Sequence, residues 1–188
     1  MRQRALDVGR VYPVRVGVGG VVESVLASDA ALAVALNALV RTSAAGRALV
    51  VGSATGLARA EVALMGVLVV VGKRRSAVRM LAAVGLVYLG SEVLGSVWRR
   101  ERPFARLSEV EALVPHSAQR SFPSRHVASG LAMAAIGRRA HPLLGVTMST
   151  LAWLLGFSRI GAGLHYPTDV LAGAALGSLV GGALRERE

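Results

Sequence analysis

The chain has 188 residues, a formal net charge of +11 and no cysteine, so disulfides, thiolate metal sites and cysteine nucleophiles are excluded. It is 53% hydrophobic but only 4% aromatic, with 22 glycines, which fits helices packed closely in lipid better than a soluble core. The basic residues gather between apolar runs, as "KRRSAVR" at 73–79, "RRERP" at 99–103 and "RR" at 138–139, a pattern of membrane loops that argues against a nucleic-acid partner.

Residues 1–27 read as an irregular basic arm. They lack the continuous apolar stretch and cleavage site of a secretory signal peptide, so the chain is expected to insert through its own helices, in one domain over 28–188. "SDAALAVALNALVR" (28–41) offers Ser28 or Asp29 as an N-cap, followed by a stretch too short to span. It is expected to be an interfacial or re-entrant helix.

Five spans are expected after it. The first covers about 48–72 and carries Arg59 and Glu61; the second covers about 77–98. A polar connection with Pro103, Pro115 and Pro123 follows, and a third helix opens at "PSRH". The fourth, at 141–157, has the clearest transmembrane character. The fifth runs from Pro167 to about Leu184, and its Gly173, Gly177 and Gly181 form a close-packing stripe for internal contacts or for a dimer. The fold class is therefore an all-α integral membrane helical bundle.

Five spans place Lys73, Arg74, Arg75, Arg79, Arg138, Arg139, Arg185 and Arg187 on one side, which the positive-inside rule makes cytoplasmic. Seven arginines (99, 100, 102, 106, 120, 125 and 159) fall on the other side. The orientation holds where those outer arginines serve a function, although it leaves the basic arm outside.

Three polar clusters converge on that outer face: "RRERPF", "SFPSRH" and "SRIGAGLHYPTD". Alone, Arg102 and Arg159 would read as snorkelling side chains and Asp169 as a first-turn carboxylate. Together they make an anion site. Arginine offers forked, permanently charged donors to phosphate oxygens, and Ser124 stands where a helix begins after Pro123. His126 and His165 can divide the work of nucleophile and general acid. Asp169, four residues after His165, can reach that imidazole and fix its tautomer. The chain has no Walker loop and no dense metal-ligand set. The expectation is phosphoryl transfer through a phosphohistidine with no metal and no cofactor.

"RP", "PSRH" and "SRIGAGLHYPTD" together resemble the three-part signature of the type 2 phosphatidic acid phosphatase (PAP2) superfamily, which also includes vanadium haloperoxidases. "RPF", "LVPH", "SFPS.H" and "GFSRI…HYP.DVL" are most similar to its bacitracin-resistance branch of undecaprenyl-diphosphatases. The resemblance implies a PAP2/haloperoxidase-like core, with His165 as nucleophile, His126 as leaving-group acid and Asp169 as its orienting carboxylate. It implies Arg102, Ser124 and Arg159 as phosphate ligands. The family's usual lysine is replaced by Gly95, and Arg125 stands where glycine is commonest. Arg99, Arg100 or Arg125 is expected to supply the missing contact. His116 and His141 receive no catalytic role.

The expected activity is removal of the terminal phosphate of a polyprenyl diphosphate on the outer face of a bacterial-type plasma membrane. The partners are the bilayer and the lipid phosphate. The alternatives are a phosphatase of glycerolipid phosphate monoesters and a non-catalytic lipid-binding protein.

Overall fold

The computed structural model describes residues 19–185; residues 1–18 of the expected arm lie outside the described residues. The chain folds into helices α1 (Gly19–Arg41), α2 (Ala44–Val70), α3 (Arg74–Val97), α4 (Pro103–Arg106), α5 (Arg125–Ala140), α6 (Pro142–Gly161) and α7 (Pro167–Leu184). Ser43 caps α2 by accepting from the Gly46 N–H at 2.9 Å. Pro142 and Pro167 open α6 and α7 at the position where a missing N–H costs least.

The side-chain pattern is that of a protein dissolved in lipid. Val70, Leu81, Leu89, Val97, Leu143 and Leu179 face outward, while the interior holds Met80, Ala83, Ala128, Ala132 and Met148. Such a wide apolar exterior requires an apolar solvent. Among the described residues, five helices are long and apolar enough to cross a membrane: α1, α2, α3, α6 and α7.

That set differs from the expected spans at two places. The helix expected over 28–41 starts at Gly19 and has 23 residues, so its length alone, about 34 Å, would span the hydrocarbon core. Ser28 and Asp29 therefore sit inside it and cap nothing. Its contacts, however, lie at one end of the bundle. Ala30 and Ala33 pack against Leu107, Val110 and Tyr166, and Asn37 Nδ2 donates to the carbonyls of Glu111 and Gly161, each at 2.9 Å. From Asp29 to Val40 the helix braces the 98–124 connection, the end of α6 and the start of α7. α5, expected as a span, has 16 residues and is only about 24 Å long. It nevertheless runs from Ser124 at one end of the bundle to Arg139 at the other as the central helix, packed against α3, α6 and α7.

The small residues of α5 and α7 make that packing possible. A Cβ added at Gly173, Gly177 or Gly181 would collide with the backbone carbonyls of Ser124, Ala128 and Ala132 respectively. The stripe thus serves internal packing. Gly177→Ala is expected to destabilise the bundle by about 1–3 kcal/mol, read as a lower thermal unfolding midpoint in detergent. Glu61, on α2, is 2% exposed and faces Gly130 of α5, so the carboxylate noted within the first span points into the protein.

Candidate active site

The three polar clusters meet at the end of the bundle braced by α1. Arg102 precedes α4, Ser124 is the N-cap of α5, Arg159 lies in the last turn of α6, and His165 and Asp169 flank the start of α7. Short connections fix these positions. Gly163, with φ +76°, makes the turn that ends α6, where a side chain would strike the Glu111 carbonyl. The Ser124 N–H donates to the Asp169 carbonyl at 2.9 Å, locking the first turn of α5 to that of α7.

His165 is 3% exposed. Its Nδ1 lies 2.7 Å from the Ser121 carbonyl, and a carbonyl can only accept, so Nδ1 carries the proton and Nε2 the lone pair. Nε2 is 3.3 Å from a terminal nitrogen of Arg102, whose N–H donates toward it. Asp169 reaches the ring less closely than the four-residue spacing implies: its Oδ2 is 3.7 Å from Nδ1. The tautomer is set by a backbone carbonyl, with the carboxylate one step away.

Asp169 is held there by other partners. Oδ2 accepts the Tyr166 N–H at 2.8 Å, and Oδ1 accepts from Arg100 at 2.9 Å. Arg100 also donates to Asp29 at 2.6 Å and to the Thr168 hydroxyl at 2.7 Å, and its guanidinium stacks 3.6 Å from the Tyr166 ring centroid. Asp29 Oδ1 in turn accepts the Thr168 N–H at 2.8 Å. All three charged side chains are at least nine-tenths buried. Arg100, a candidate replacement for the missing lysine, is committed to two carboxylates. Asp29 is the site residue that the motifs do not reveal, while Arg100, Thr168 and Ser121 stand inside the quoted clusters in structural roles that the spacing does not assign. Only the isolated "SD" inside an otherwise apolar run marked Asp29 as unusual.

Among the described residues, Arg102 Nε, Arg159 Nε and Ser124 Oγ are three buried polar atoms of this cluster with no hydrogen-bond partner. Orphaned donors are rare in protein interiors, and three together mark a place for an anion. Burial lowers the Arg102 pKa to about 10, so the side chain stays cationic at neutral pH. His126, in the first turn of α5, is within electrostatic reach of Arg159, His165 and His116. His116 is closer to the chemistry than expected. Partial desolvation, then the charges of Arg102, Arg159 and His165, push its pKa down to about 4. Arg125 instead points toward α3, where it pairs with Glu92 at 3.1 Å. His141 closes α5 at its other end, away from the site.

Comparison with known proteins fits this geometry. The PAP2 superfamily profile matches residues 76–186. The chain belongs to the PAP2 superfamily. Among curated relatives, it is 39% identical over 88 residues to the bacitracin transport permease protein BcrC of Bacillus licheniformis, covering 47% of this chain and 43% of that one. It is 36% identical over 85 residues to the undecaprenyl-diphosphatase BcrC of Bacillus subtilis, covering 45% and 44%. The matched stretch thus spans less than half the length of either relative. A crystal structure of a transmembrane PAP2-type phosphatidylglycerolphosphate phosphatase from Bacillus subtilis superposes with TM-score 0.66 at 25% identity, covering 86% of this chain and 84% of that one. The protein is an integral membrane member of that superfamily, and its three polar clusters sit before α4, at the start of α5, and across the end of α6 and the start of α7.

Proposed function

We propose that this PAP2 protein removes the terminal phosphate of a polyprenyl diphosphate through a phosphohistidine on His165. The observation that carries this reading is a buried His165 whose Nε2 lone pair lies beside Arg102, in a cluster that holds the orphaned Arg102 Nε, Arg159 Nε and Ser124 Oγ. Arg102, Arg159 and Ser124 hold the phosphoryl oxygens while Nε2 attacks phosphorus. The phosphorus–oxygen bond to the leaving group breaks, and His126 gives its proton to that oxygen. Water then cleaves the phosphoenzyme, with His126 taking the proton back. The residues use cationic and imidazole chemistry throughout and need no cofactor. The outer face is the natural side, because Lys73, Arg74, Arg75, Arg138 and Arg139 lie at the end of the bundle opposite the site.

The nucleophile must be neutral to attack. Burial and the nearby Arg102 and Arg159 hold His165 below its ordinary pKa of 6.5, against the opposing pull of Asp169. Activity should therefore be lost only as pH falls through this lowered value. The acid limb of kcat/KM is expected below pH 6.5, and a limb above it would contradict the assignment.

The superposed phosphatidylglycerolphosphate phosphatase covers 86% of this chain at 25% identity. That supports a second reading, a glycerolipid monoesterase with the same catalytic residues. The deciding experiment measures phosphate release by detergent-purified protein, with chelator present, from undecaprenyl diphosphate and phosphatidate in parallel. Preference for the diphosphate supports the proposal. Preference for phosphatidate moves the function to glycerolipids, and silence from folded protein on both favours a lipid-binding role.

A further inference from the structure

The geometry points to a second anion subsite, formed by Arg120 and Arg125 with Glu92 as a displaceable resident carboxylate, that takes the inner phosphate of a diphosphate. The inference rests on reading the site as a diphosphatase and names what would set that preference.

Arg120 and Arg125 both reach across to α3 and share one carboxylate: Arg120 donates to Glu92 Oε2 at 2.6 Å and Arg125 to Glu92 Oε1 at 3.1 Å. Two guanidiniums on one carboxylate leave a positive charge in excess. The three side chains are 62%, 37% and 48% exposed, so the pairs are wet, weak and easily exchanged for a better anion. A phosphate with two or three charged oxygens is a better partner for two forked donors than one carboxylate is.

Both arginines are also tied to the catalytic groups. Arg120 adopts φ 61° although it is not glycine, a conformation that is rare for long side chains and clusters at functional sites. In that conformation its carbonyl accepts from Arg102 at 3.2 Å, while its side chain turns to Glu92. Arg125 lies between Ser124 and His126 in the first turn of α5, and its guanidinium sits 5.3 Å from the Tyr88 ring centroid. Its charge acts on both Arg102 and His126.

The neighbouring surface fits the same occupant. At Gly95 a Cβ would stand 3.0 Å from the Phe122 carbonyl, so a side chain there would have to push that carbonyl back, and α3 supplies no cation at this position. Gly95, Glu92, Arg120 and Arg125 line one small hollow. Arg120 also borders a cleft of about 370 Å³ with Arg99, Arg100, Glu101 and Gln119. His126 protonates the leaving oxygen, so whatever is bonded to that oxygen lies on its side of the site. In a monoester that atom is carbon; in a diphosphate it is the second phosphorus, and the charge beside it meets Arg125 and Arg120.

The test is calorimetric titration of methylenediphosphonate and of inorganic phosphate into the detergent-purified protein, alongside R120Q/R125Q and E92Q. The wild type is expected to bind the diphosphonate about tenfold more tightly than phosphate. R120Q/R125Q should lose that preference, and E92Q, which frees the arginines, should widen it. Thermal unfolding of each variant confirms that it is folded. If R120Q/R125Q keeps the preference, or E92Q narrows it, the subsite does not exist. In turnover, the ratio of kcat/KM for undecaprenyl diphosphate over phosphatidate should fall about tenfold in R120Q/R125Q; an unchanged ratio overturns the role in specificity. Should the wild type release no phosphate from undecaprenyl diphosphate, the diphosphatase reading fails, while the titrations still decide whether the subsite binds two linked phosphates.

Discussion

Phosphate release should fall by at least about a thousandfold in His165→Ala, and His126→Ala should do similar damage to lipid substrates. An activated substrate separates the two roles. With p-nitrophenyl phosphate the leaving group needs no proton, so His126→Ala should still give a burst of nitrophenol matching the enzyme concentration. His165→Ala should give none, because nothing remains to accept the phosphoryl group. A burst from His165→Ala would remove the nucleophile assignment. The variant also leaves the Ser121 carbonyl without its buried donor, at a cost of about 1–3 kcal/mol. Folding is therefore checked first, by thermal unfolding in detergent.

Arg100→Gln should be the most damaging single change to stability among the site residues. It leaves Asp29 and Asp169, both buried, facing one another without the cation that joins them. Breaking a buried pair by removing one partner costs about 3–5 kcal/mol, because the remaining charge is stranded. Here two carboxylates are stranded at once. Asp29→Asn in the same chain removes one of them, so the double variant D29N/R100Q should be more stable than R100Q alone. A double variant as unstable as the sum of the two single ones would show that Asp29 and Arg100 act independently. The same cycle read in activity should show Asp29→Asn lowering kcat more than it raises KM, since Asp29 touches no phosphate ligand.

The clusters of the candidate site are legible because they are written in short spacings. Ser158, Arg159, His165 and Asp169 fall within one helix end, one turn and one helix start, so local geometry alone brings them together. The same holds for Ser124 and His126. Asp29 was not legible. It meets Thr168 across 139 residues, and only the docking of α1 against the start of α7 brings the two together. Ser121 contributes through its backbone, which its side chain does not advertise. Glu23, Ser24, Ser28 and Asp29 interrupt the apolar pattern of α1, so the sequence alone shows only its C-terminal part. The cost of one of these, Asp29, is met by Arg100 and Thr168 rather than by water. The Ala and Gly content of α5 suits lipid. That same smallness lets α7 approach it closely and makes it the axis of the bundle.

The 3.7 Å gap between His165 and Asp169 bears on where binding energy is used. In the resting protein the imidazole is neutral and satisfied by a carbonyl, so the carboxylate gains little from it. In the proposed reaction Nε2 takes the phosphoryl group and the ring becomes a cation, so a small tilt of Nδ1–H from Ser121 toward Asp169 would turn a neutral hydrogen bond into a charge-assisted one. The attraction strengthens only as the reaction proceeds. An interaction withheld from the ground state lowers the barrier rather than deepening the well before it. Arg100 and the Tyr166 N–H, which hold the carboxylate back, thereby keep it in reserve for the intermediate.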